Sequence, residues 1–204
     1  MEDCNPMSTP MNQKQKLCKE DRVDKVDERY YRSLIECLTY LTVTRPNILF
    51  VLSLLSRFMH CASEMNLRAA KTILRYIKGT VEYGLKFEKS QSFKLLGFSN
   101  SDCVGSVDDM RSTSGHCFTL GSRIFSWSSK KQEVVAQSTT EVEFIAATAA
   151  VNQALWLRKI MCDFLMEQNS STEILVDNQA AIAISNNPVF HRKTKHFNIK
   201  FYFL

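Results

Sequence analysis

The 204-residue chain contains no uninterrupted apolar run of the ~18 residues that a membrane span requires. Its first ten residues, MEDCNPMSTP, lack the basic-then-apolar order of a secretory signal. These two absences point to the cell interior, cytoplasm or nucleus, with no membrane partner. The seven cysteines, at positions 4, 18, 37, 61, 103, 117 and 162, form no CxxC pair. Scattered reduced thiols fit that spacing better than a disulfide framework. The histidines at 60, 116, 191 and 196 supply no clustered ligands of the kind a structural zinc site needs. No internal repeat is found.

What is present is ordinary globular usage, with 45% hydrophobic and 23% charged residues. The net charge of +5 is uneven. Residues 1–90 carry 15 basic and 11 acidic residues, against 11 and 10 in residues 91–204. An excess this mild permits a polyanionic partner without requiring one.

Residues 1–28 are polar and carry Pro6 and Pro10, which predicts an extended or disordered lead-in. Residues 29–90 read as helical. Leu34, Ile35, Leu38 and Leu41 recur at helical spacing, and Pro46 stops that helix and opens the next. The stretch ILFVLSLLSRFM is apolar nearly all round and is expected to be buried. In NLRAAKTILRYIKGT, Leu67, Ala70, Leu74 and Ile77 form an apolar stripe, and Gly79 is placed as a C-cap. Arg68, Lys71, Arg75 and Lys78 recur on another face of that helix. Such a row is either a solvated face or a contact for nucleic-acid phosphates.

The serines and glutamine at 90–92 mark a boundary, and residues 91–204 change pattern. Strands are predicted at 93–99, in STSGHCFTLG, in RIFSWSSKKQ and in EVVAQS, followed by a helix over about 140–166. TEILVD reads as a further strand, NQAAIAISN as a short helix, and KTKHFNIKFYFL as a periodic tail. Strands, helix, strand, helix is the order of an α/β layer with a mixed sheet.

Three acidic positions carry the candidate chemistry. Asp177 closes a strand, where sites cluster in α/β sheets, although it is equally placed to cap the helix that follows. Glu141 and Glu143 lie about 200° apart on a helix, so they face different ways. Glu143 heads a stripe of Ala146, Ala147, Ala150, Ala154, Leu157 and Met161. A carboxylate on such a packed face is costly unless it is paired or bound to metal. The third position is the stretch GFSNSDCVG, where an apolar strand runs into Asn100 and Asp102. Asn100 offers a hard cation one neutral oxygen and no charge. Asp102, on the same face of a continuing strand, is the nearby carboxylate that could lean in.

The long runs YRSLIECLTYLTVTRPNILFVLSLLSRFMHCASEMNLRAAKTILRYIKGTVEYGLKF, RSTSGHCFTLGSRIFSWSSKKQEVVAQSTTEVEFIAA and VDNQAAIAISNNPVFHRKTKHFNIKFYF stand in order along the chain. In these runs the chain resembles the Pol polyprotein of copia-type LTR retrotransposons, at the end of the reverse transcriptase and its ribonuclease H domain. The resemblance implies a ribonuclease H-like mixed sheet with flanking helices at about 91–204. An α-helical thumb/connection fragment of the reverse transcriptase would precede it at 29–90. It implies two-metal cleavage, with Mg2+ or Mn2+, of the RNA strand of an RNA–DNA hybrid. Intact Pol or integrase proteins are further expected partners. It maps the helix glutamate onto Glu143 and the strand-end aspartate onto Asp177. The first family aspartate falls on Asn100, with Asp102 as a substitute, and the fourth is expected beyond Leu204. The polymerase aspartate pair is expected ahead of Met1. The family has Gly at Glu36, Asp at Asn47, Pro at Ala62, His at Asn66, Trp at Cys103 and Ala at Val104. The resemblance therefore implies a weakened or inactive centre in a decaying element, with Glu36 placed in a packing helix at a cost to stability. The rival reading is a non-catalytic protein that holds nucleic acid through Arg68, Lys71, Arg75 and Lys78.

Overall fold

The computed structural model describes residues 4–12, 15–87, 93–103 and 105–186. The chain divides into two compact units, Met1–Lys86 with Gly105–Met110, and Phe87–Val104 with Arg111–Leu204. The boundary serines at 90 and 92 and the tail at 193–204 lie outside the described residues.

The first unit is built on three helices. Helix α1, Glu28–Leu41, starts where the Asp27 carboxylate accepts from the amides of Arg29 and Tyr30. Pro46 opens a 3₁₀ turn, Pro46–Ile48, that leads into α2, Leu49–Leu55. Helix α3, Glu64–Gly79, is closed at its start by a reciprocal cap. Asn66 N donates to Ser63 Oγ, and Ser63 N donates to Asn66 Oδ1. Tyr31, Ile35, Leu38, Ile48, Val51, Leu52, Leu55, Phe58, Ala70 and Ile73 make the core. In ILFVLSLLSRFM only one side is fully buried, and Phe50 is exposed. On α3 the buried line runs through Asn66, Ala69, Ala70, Ile73 and Tyr76. Leu67, Leu74 and Ile77 flank it, half-buried, so the predicted stripe is rotated by about one residue.

The lead-in, expected to be extended or disordered, has its described residues held, and two other expectations for this unit are corrected. Met7 N donates to Arg75 O, Val26 N donates to Ala62 O, and Met7, Met11 and Leu17 pack on the core. Gly79 is the last residue of α3 and Thr80 is the C-cap. A Cβ on Gly79 would lie 2.9 Å from the Pro6 side chain, so glycine serves the close approach of the lead-in. Glu36 is exposed, so it carries no burial cost. Two other departures from the family are bonded in place. Asn47 donates to the Tyr76 hydroxyl, and Asn66 completes the α3 cap.

The second unit is a mixed α/β layer. Its sheet has the order β3-β2-β1-β4, from β1 (Leu95–Ser101), β2 (Thr113–Leu120), β3 (Arg123–Lys131) and β4 (Glu173–Val176). The first three are antiparallel, and β4 pairs parallel to β1. Helix α4, Thr139–Asp163, lies against the sheet, and α5, Gln179–Asn186, follows β4. Leu95 and Phe118 meet Ala150, Ala154, Leu157 and Met161 in the core. These alanines let α4 come close to the strands. Gly97 makes room on the same face, since a Cβ there would sit 2.7 Å from the Phe118 ring. The return from α4 to β4 is pinned by Arg158, which donates to the carbonyls of Gln168 and Ser170. Gln168 in turn pairs with the Leu95 N–H and the Phe93 carbonyl.

The strand expected at EVVAQS does not form. The chain leaves β3 at Lys131 and bends until α4 begins. Val134 and Val135 are exposed, and Gln137 N donates to the Glu141 carboxylate at the start of the helix. β-branched residues without a neighbouring strand have no ladder to join.

Candidate functional site

The site forms where β1 changes from an antiparallel to a parallel neighbour. Odd positions of β1 are the buried ones: Leu95, Gly97 and Ser99. Ser99 is level with Val176 in the parallel ladder. Asn100 and Asp177 are the residues that follow this last pair, Asn100 still within β1 and Asp177 just past the end of β4. Both residues are exposed.

Glu143 enters from the second turn of α4. It is 7% exposed, so the predicted burial of this carboxylate is what the structure has. Its Oε1 accepts from Ser101 N at 3.1 Å. Its Oε2 is buried and has no hydrogen-bond partner. Burial pushes the Glu143 carboxyl above its ordinary pKa; the Ser101 hydrogen bond opposes this, and the Asp177 charge adds to the rise. Glu143 and Asp177 thus feel each other.

The helix-cap alternative for Asp177 goes to its neighbour. Asn178 Oδ1 accepts from Ala181 N at 3.0 Å, so Asn178 caps α5 and the Asp177 carboxylate is not used for it. At the start of α4, Glu141 belongs to the cap, where its N–H meets Ser138 Oγ. Asp102 is engaged elsewhere. Its N–H donates to Thr113 O at 3.1 Å, and its Oδ1 accepts from Thr113 N, closing the end of the β1–β2 ladder.

The basic row of α3 is also partly committed. Arg68 pairs with Glu64 at 3.0 Å one turn away. Arg75 Nε donates to Asn5 O at 2.7 Å, and Lys78 Nζ to Cys4 O at 3.1 Å. Lys71 is exposed. Two of the row's four residues, Arg75 and Lys78, therefore hold the lead-in, although the row's positive charge remains on the surface.

Sequence reasoning did not single out Ser101, Asn178 or Gln132 of the β3–α4 connection. Asn178 had a readable signal, an amide just before a helical run. Among the described residues no helix is long and apolar enough to cross a membrane.

The second unit is thus an α/β domain in which the second turn of α4 and the end of β4 carry an acidic pair, Glu143 and Asp177, with the amide Asn100 on the neighbouring strand β1. No protein-family model matches the chain. The retrovirus-related Pol polyprotein from transposon RE1 of Arabidopsis thaliana is 35% identical over 199 residues, covering 98% of this chain and 14% of that protein. The Pol polyprotein from transposon TNT 1-94 of Nicotiana tabacum is 34% identical over 211 residues, covering 100% of the chain and 16% of its own length. The secreted RxLR effector protein 161 of Plasmopara viticola is 41% identical over 128 residues, or 62% of this chain and 90% of the effector. The chain belongs to the Pol polyprotein family of copia-type retrotransposons. It spans about a seventh of the length of the Pol polyproteins it matches.

Proposed function

We propose that the second unit is a ribonuclease H-type domain of retrotransposon Pol, built for the RNA strand of an RNA–DNA hybrid, with a metal centre weakened at Asn100. The helical unit is read with it as the thumb/connection end of a reverse transcriptase. One observation carries the reading. Glu143 is buried against the end of β1 with a free oxygen and is electrostatically coupled to Asp177, at the level of the residue that family resemblance assigns to the first metal ligand.

The donor set supports one hard cation and not a pair. Glu143 Oε2 is an unpartnered buried acceptor, and Asp177 adds a second charge. Asn100 adds no charge, and Asp102 Oδ1 is spent on Thr113. Among the described residues no group of three His, Cys, Asp or Glu side chains comes together to hold a metal. When bound, a Mg2+ or Mn2+ ion supplies Lewis-acid polarisation of the phosphate and an acidified water. The protein's part is to hold the ion through Glu143 and Asp177, with Ser101 N–H fixing the orientation of the Glu143 carboxylate.

The test is cleavage of a labelled RNA–DNA hybrid in Mg2+ and in Mn2+. The chain is expected to cleave at background level. Asn100→Asp is expected to tighten Mn2+ binding by about tenfold or more, because one added unit charge at contact range contributes on the order of 1–4 kcal/mol. Turnover by the unaltered chain that Asp177→Asn abolishes would overturn the weakened centre. Mn2+ affinity equal in the unaltered chain and in Asn100→Asp would overturn the assignment of Asn100.

A further inference from the structure

The connection between β3 and α4 carries a buried amide that the reading above does not use. Gln132 is 5% exposed. Its backbone N–H donates to Ser112 O at 2.7 Å, prolonging the β2–β3 ladder by one residue. Its side-chain Nε2 donates to Ser114 Oγ at 2.9 Å and to Val142 O at 3.0 Å. One amide therefore ties the end of β2 to the residue immediately before Glu143.

The strand register closes this arrangement. Ser114 on β2 stands opposite Ser101 on β1. Ser101 N–H holds Glu143 Oε1. Ser101, Glu143, Val142, Gln132 and Ser114 thus form a ring made of two strand ends, one helical turn and one connecting side chain. Only two of its links are side-chain contacts that span elements: Glu143 to Ser101, and Gln132 to Ser114 and Val142. Remove the second and, of these two links, the start of α4 keeps the bond from Glu143 to Ser101.

We propose that Gln132 is the positioning residue for Glu143. It sets the depth and rotation of the first turns of α4, so that the carboxylate meets Ser101 N–H and keeps Oε2 directed at the cation position. The proposal deepens the metal-centre reading and rests on it for its purpose, while the ring itself is independent of activity. A displacement of about 1 Å at such a group is enough to cost on the order of a hundredfold in rate.

The test uses Gln132→Met, which keeps length and apolar volume and removes both donors, with Ser114→Ala as a second cut of the same ring. Leu157→Ala serves as a control that destabilises the α4–sheet core away from it. The readouts are the Ser101 amide proton shift and its hydrogen-exchange rate in 15N-labelled full-length protein. Gln132→Met is expected to speed Ser101 exchange at least about tenfold and to move its resonance, and Ser114→Ala to do so less. Leu157→Ala is expected to lower the melting temperature while leaving the Ser101 resonance in place. An unmoved Ser101 signal in folded Gln132→Met, or in Ser114→Ala should the first variant not fold, overturns the proposal. In the Asn100→Asp background, any hybrid cleavage gained should lose kcat and keep KM when Gln132→Met is added. If no background cleaves hybrid but Ser101 still responds, the ribonuclease reading fails and the positioning role stands.

Discussion

In the helical unit, the fully buried Tyr31 hydroxyl donates to Leu55 O at 3.0 Å, and buried Thr80 is bonded to Tyr76 O and Arg45. In the sheet unit, Ser99 Oγ, Ser101 Oγ, Thr119 Oγ1, Gln132 Oε1 and Glu143 Oε2 are buried without partners, and all but Thr119 lie near the start of α4. The helical unit has its own exception in Asn66 Nδ2, but that atom belongs to a cap otherwise fully made. Buried polar groups in folded proteins are nearly always satisfied, so the unpartnered atoms near the start of α4 fit the cation position proposed above. The helical unit satisfies its buried hydroxyls at Tyr31 and Thr80 internally; the sheet unit leaves several buried atoms without partners, most of them near the start of α4.

The sharpest way to break this contrast is to empty the helical core. Tyr31→Ala should destabilise the first unit by about 3–5 kcal/mol, whereas Tyr31→Phe should cost about 1 kcal/mol, since it loses only the bond to Leu55. Urea denaturation followed by circular dichroism separates the two, and equal losses would show that the hydroxyl and not the ring carries the stability. Next in size is Gly97→Ala. The added Cβ meets the Phe118 ring and Ile174, and overpacking of this kind costs about 1–3 kcal/mol. An unchanged denaturation midpoint would mean that Phe118 has room to move aside.

A smaller effect tests the buried Glu143 itself. Because the native state raises the Glu143 pKa, it binds a proton more tightly than the unfolded chain does. That contribution to stability is complete below the ordinary glutamate pKa and is lost as pH rises through the raised value. Glu143→Gln should therefore raise the melting temperature near neutral pH, and the gain should shrink toward about pH 4, where the carboxyl is protonated in both states. A gain that grows on acidification contradicts the burial argument. The smallest change is expected at Glu36. Glu36→Gly removes an exposed side chain from α1 and should act only through helix propensity, about 1 kcal/mol. A gain in stability would restore the buried Glu36 that the sequence suggested.

The two glutamates show why one was legible and the other was not. On α4 the residues that share a face with Glu143 are mostly alanines, and that unbroken small stripe admits one orientation against a sheet. On α1 the exposed arc contains Cys37, Tyr40 and Leu41 as well as Glu36. With apolar residues on both arcs, helical spacing alone did not tell which side was inside. The layer order and Asp177 at a strand end were readable because strand alternation and strand–helix order are local, whereas Asn100 was joined to them by the family resemblance alone. The ring through Gln132 was not, because it depends on which strands pair and on a register that no short window contains. The missing strand at EVVAQS has the same cause, since two valines cannot report whether a neighbour is there to bond them.

The lead-in over α3 has a consequence for the order in which the helical unit assembles. Arg75 reaches back 70 residues to Asn5, and Lys78 reaches back 74 residues to Cys4. Asn5 and Cys4 thus have no seat until α3 has been made. Closing so long a loop costs entropy that a few hydrogen bonds barely offset, so this contact is added late and released early. The lead-in behaves as a latch on a finished helical unit, and its described amides should be among the first in that unit to exchange.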